Sequence, residues 1–183
     1  MKNLKHLVLI LIYALGVVYL SLPNPIYPDL SLGVRSDEPG DTWQNLDQKA
    51  FFTNKVRSVA ITELQNSFSL KFLGQTIPSF KLNYRPEEAA QFVREQIDSY
   101  YLEEIVHPLR ESLFVNGWEP VNSPYWKSVE AGKRPRIQID GIFYKAKITL
   151  KPTYSSTIAR LLVWTLIFPA SYFVSKSLKK SFA

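Results

Sequence analysis

The chain has 183 residues, with 22 Lys and Arg against 16 Asp and Glu, two histidines and no cysteine. Without cysteine there is no thiol catalysis, disulfide or thiolate metal site, and one imidazole besides His6 excludes a multi-histidine zinc site or facial triad. Six basic residues (Lys2, Lys5, Arg160, Lys176, Lys179, Lys180) lie in or beside two apolar, acid-free ends and leave a neutral middle of 16 basic and 16 acidic residues, so the net charge of +6 is a membrane-orientation signal and no nucleic-acid partner is expected.

Residues 1–6 form a basic leader, expected on the cytoplasmic side. Leu7 to Leu22 is an uninterrupted apolar run that stops at Pro23. It is long for a cleaved signal peptide and no small-x-small cleavage site follows, so residues 7–22 read as a signal anchor and first transmembrane helix. Residues 23–41, with Pro23, Pro25, Pro28, Gly33, Pro39 and Gly40, read as an extended stalk, because proline resists both helix and central strand. The acidic stretch Ser36 to Asp41 lacks the ordered ligand spacing of a calcium loop and is expected to be a solvated turn.

Residues 42–152 read as one extracytoplasmic α+β domain. Asp47 to Arg57 is expected to be a short helix with Phe51 and Phe52 turned inward. Val59–Leu64 and Phe68–Phe72 are expected to be strands, with Gly74-Gln75 turning into a further strand from Ile77 to Tyr84 and Pro78 implying an edge. From Pro86, apolar residues recur every fourth position at Val93, Ile97, Tyr101, Ile105, Leu109 and Leu113. That pattern predicts an amphipathic helix covering an antiparallel sheet, kinked between His107 and Pro108 and stopped at Asn116-Gly117. Trp118 to Gly132 then reads as an aromatic, proline-rich loop, and Arg136–Asp140 and Ile142–Lys151 as strands meeting at Asp140-Gly141 in a bulge or a hairpin.

After a linker, residues 153–157, comes a second transmembrane helix, residues 158–174. Seventeen residues span roughly 25 Å against a hydrocarbon core of about 30 Å. Arg160 lies near its outer edge, where its stem reaches the headgroups. Pro169 is tolerated in a membrane helix. The basic tail 175–183 is expected in the cytoplasm with the leader, which puts the middle outside.

The chemistry of the middle is sparse. A hydrolase would have to combine a serine with His107, four residues after Glu103, or with a strand lysine such as Lys71, Lys81, Lys145 or Lys147; these lysines read as a solvated sheet face, and the chain is not expected to be an enzyme. Trp118, Tyr125 and Trp126 form a candidate aromatic platform for a glycan, a peptide or a protein partner. Lys133, Arg134 and Arg136 form a candidate basic contact for headgroups or an acidic patch. No metal or cofactor is implied. The span–domain–span layout is similar to that of polysaccharide co-polymerase (chain-length regulator) proteins in topology only. Their long coiled-coil helices and proline/glycine motif at the second span are missing here, apart from Pro169. The reading that follows is a two-span envelope protein, an accessory or scaffold that binds membrane lipid and other envelope proteins or itself. A membrane-bound hydrolase and an aromatic-loop binding module are the competing expectations.

Overall fold

The computed structural model describes residues 2–84, 101–121 and 128–181. The chain divides into two units, Met1–Asn24 with Tyr154–Ala183, and Pro25–Thr153.

The first unit is a helix pair. Helix α1 is Lys2–Ser21, and the C-terminal helix, α3 by its place in the chain, is Thr157–Ser181. They meet side by side. Tyr13 Oη lies 3.1 Å from Thr165 Oγ1, Trp164 Nε1 donates to the Tyr13 carbonyl at 3.1 Å, and the Tyr13 and Phe168 rings meet edge to face at 5.2 Å. Gly16 is the small residue that permits this approach, because a Cβ there would stand 2.2 Å from the Trp164 ring.

The second unit is α+β. Strands β1 (Val34–Arg35), β2 (Lys49–Thr53), β5 (Phe80–Tyr84), β6 (Tyr101–Val106), β7 (Ser112–Trp118) and β10 (Ala146–Thr153) form an antiparallel sheet in the order β1-β2-β10-β7-β6-β5. Two hairpins stand apart from it, β3 (Leu70–Phe72) with β4 (Gln75–Ile77) and β8 (Ile137–Ile139) with β9 (Ile142–Tyr144). Both turn on two residues at positive φ, Leu73-Gly74 and Asp140-Gly141, the backbone that matches the twist of a tight hairpin. Asp140-Gly141 is therefore a hairpin and not a bulge.

Among the described residues, helix α2 (Arg57–Ser67) packs on the sheet. Its buried residues Ala60, Ile61 and Leu64 have helical spacing and join Phe51, Tyr101, Ile105, Leu113, Val115, Ile148 and Leu150 in the core. The register lines up Phe51, Ile148, Gly117 and Tyr101 across four strands. Gly117 has no side chain because the Tyr101 ring lies over it; an added Cβ would sit 2.1 Å from that ring.

Several expectations are corrected. Residues 49–53 form a strand, not part of a helix, with Phe51 and Phe52 on opposite faces of the sheet and both buried. Val59–Leu64 is helix, not strand. The part of the expected covering helix that is described is strand, residues 101–106 and 112–118, and Asn116-Gly117 lies inside β7. The expected helix over residues 86–100 falls outside the described residues. After Pro78 the chain leaves the β3–β4 hairpin, and β5 forms the outer edge of the main sheet beside β6. Pro152 lies inside β10, not beyond it, at a position paired only with Leu113 of β7, which leaves its missing N–H on an open side.

Candidate functional site

Helix α3 carries the feature with the clearest physical consequence. Its segment Thr157–Leu178 is 22 residues long with a mean hydropathy of 1.5, and 6% of its most apolar 18-residue window is buried. Twenty-two residues span about 33 Å, enough to cross a bilayer. It is the one helix among the described residues that is long and apolar enough to do so; the apolar part of α1, His6–Ser21, is shorter. Arg160 is held, not left to extend freely: its guanidinium donates to Asn24 Oδ1 at 2.8 Å and to Thr157 Oγ1 at 3.1 Å.

Trp118 is not on a loop but ends β7, opposite Lys147 of β10. Its indole Nε1 is buried and has no hydrogen-bond partner among the described residues. Tyr125 and Trp126 fall outside the described residues. Lys133 pairs with Glu130 at 3.1 Å on the surface, Arg134 donates to the Val129 and Val121 carbonyls at 2.9 and 2.8 Å, and Arg136 is exposed. Arg134 is thus engaged in holding its own loop.

His107 follows β6 and opens the turn into β7, with the Arg110 N–H bonded to its carbonyl at 3.0 Å. Leu109 in that turn adopts φ 61°. The imidazole has no exposure. It lies 5.3 Å from the Phe68 ring, and Nδ1 lies 3.7 Å from Glu111 Oε1, itself 3.0 Å from Arg110 Nε. Burial, with the Arg110 charge beside it, lowers the His107 pKa to about 4. The ring is neutral and out of reach of a substrate, and Glu103 points elsewhere. Glu103 is buried against the Arg57 guanidinium, with Lys81 Nζ 3.5 Å away and Arg57 4.6 Å over the Tyr101 ring. Its neighbour Glu104 faces the other side and accepts from Tyr84 Oη.

The acidic stretch after β1 is no solvated turn. Ser36 and Asp41 are buried, and Asp41 Oδ2 takes hydrogen bonds from Ser36 Oγ and Lys147 Nζ, both at 2.6 Å. Glu38 Oε2 meets the same ammonium at 2.6 Å. Burial disfavours the Lys147 charge, but the two carboxylates outweigh it and hold its pKa above the usual lysine value. Lys147 is a charged staple, and a lysine so held is no general base.

Sequence reasoning passed over the segment between this staple and β2. Residues 43–48 and Lys151 line an open cleft of about 280 Å³. Trp43 is 69% exposed and Leu46 85%. The signal is a tryptophan flanked by amides and an acid, Trp43-Gln44-Asn45-Leu46-Asp47-Gln48, of which the expected helix from Asp47 to Arg57 takes in only the last two residues. No protein-family model, curated protein or solved structure matches this chain.

Proposed function

We propose that the chain is a two-span accessory or scaffold protein of a cell envelope. Both helices sit in the bilayer, both ends face the cytoplasm, and the α+β unit outside it organises a membrane complex with other envelope proteins or further copies of itself. The observation that carries this reading is the long apolar helix Thr157–Leu178, almost none of it buried within the protein. Its pairing with α1 through Gly16, Tyr13 and Trp164 supports a second span there, since close approach over a small residue is how helices associate in lipid. The basic leader and tail support cytoplasmic ends. The hydrolase alternative draws no support from a fully buried His107 and a doubly ion-paired Lys147.

The test is extraction followed by copurification. The chain stays with the membrane through alkaline carbonate and leaves it only with detergent. The solubilised protein then elutes as a multimer or with a stoichiometric membrane partner. Release by carbonate alone overturns the reading.

A further inference from the structure

We propose that the loop 43–48, together with Lys151, is a binding site for a neutral hexopyranose unit of a glycan. The site goes beyond the membrane reading and does not depend on where α3 resides.

The loop is built to hold its shape without a ligand. The Gly40 carbonyl accepts from Asn45 Nδ2 at 2.7 Å and from Gln48 Nε2 at 2.6 Å. The N–H groups of Thr42 and Gln44 both reach the Pro39 carbonyl, and Thr42 Oγ1 donates to the Glu38 carbonyl. The Asp41–Lys147 staple ties the start of the loop to the sheet. A segment held by its own Asn45 and Gln48 amides and backbone N–H groups, yet turning an indole and a leucine to solvent, forgoes burial that a loop of free choice would take.

Gln44, Asp47 and Lys151 line the same cleft as Trp43 and are exposed, and among the described residues no hydrogen bond or ion pair engages their side chains. Together they offer an acceptor, two donors and a flat apolar face, with no net charge. A pyranose ring has the complementary surface. Its C–H face stacks on an indole, and its rim hydroxyls donate to a carboxylate and accept from an ammonium or amide. An anionic headgroup is disfavoured by Asp47. An extended peptide would look for a sheet edge or deep side-chain pockets, and this cleft is open and at the small end of ligand sites.

The experiment uses the full chain in lauryldimethylamine oxide, a detergent without a sugar headgroup. Cellotetraose, maltotetraose and tetra-N-acetylchitotetraose are titrated to about 10 mM by calorimetry, with the Trp43 indole N–H followed by NMR. At least one binds in the millimolar range or tighter and shifts that resonance. Trp43→Ala weakens it about tenfold or more, Trp43→Phe by about threefold or less, and Asp47→Asn falls between. The far-UV circular dichroism of each variant stays unchanged, as expected for exposed positions. The proposal is overturned if none of the three binds or if Trp43→Ala leaves affinity intact. It is equally overturned if Trp43 responds to phosphatidylglycerol vesicles and to no glycan.

Discussion

His107 shows what one buried group imposes on the whole unit. Among the described residues its ring faces Phe68, the residue that caps the C-terminal end of α2, and Arg110 and Glu111 from its own turn, and neither ring nitrogen is hydrogen-bonded. The folded state keeps the imidazole neutral down to about pH 4, whereas an unfolded histidine titrates near 6.5. Below that value the unfolded chain binds a proton that the folded chain refuses. Stability is therefore fully present above about pH 6.5 and falls as the pH drops to about 4, by roughly 3 kcal/mol in total. Thermal unfolding of the detergent-solubilised protein across that window measures it. His107→Leu flattens this part of the profile and costs little at pH 7, because an apolar isostere leaves no unbonded nitrogen. An unchanged slope in His107→Leu would show that other groups carry the pH dependence.

At the scale of elements, the Lys147 staple fixes a long irregular connection to the centre of the sheet. Removing the ammonium leaves Asp41 buried with, among the described residues, only Ser36 Oγ and a distant Gln48 amide to bond it. Lys147→Met is expected to lower stability by about 3 kcal/mol, since breaking a buried pair from one side strands a charge. Lys147→Met with Asp41→Asn recovers much of that, and the coupling between the two sites is about 2 kcal/mol in a double-mutant cycle read by thermal melts. Additive effects would mean that the pair contributes nothing jointly. The same region shows why elements were only partly legible in the sequence. Apolar residues every fourth position satisfy a strand as well as a helix, because four is a multiple of the strand period of two. Tyr101 and Ile105 share the core face of β6, and Leu102 between them is buried on the other face. A sheet covered on both faces erases the alternation that marks a strand, as it does for Phe51 and Phe52 in β2. A tight turn was readable where its chemistry is local, at Gly74, whereas Asp140-Gly141 left a bulge and a hairpin both open. The Trp43 cleft was not, because its form depends on Lys147 and Lys151, a hundred residues downstream.

At the scale of the whole molecule, the long apolar helix Thr157–Leu178 was legible in the sequence, because a helix long and apolar enough to cross a bilayer is recognised by composition and length and not by long-range packing. Of the six basic residues in the apolar ends, three lie beyond Val174: Lys176, Lys179 and Lys180. If they hold the tail in the cytoplasm, they set the side on which the α+β unit appears. The absence of cysteine makes the test free of background: Gln138, exposed on β8, becomes the single thiol as Gln138→Cys. In intact cells a membrane-impermeant maleimide is expected to label this variant nearly fully. Replacing the three lysines by glutamate removes the retaining charge at one end while Lys2 and Lys5 still act at the other, so the chain is pulled into mixed orientations and labelling falls by about half or more. If Gln138→Cys with its native tail is labelled only after the cells are opened, the unit faces the cytoplasm and the orientation argued from charge is wrong.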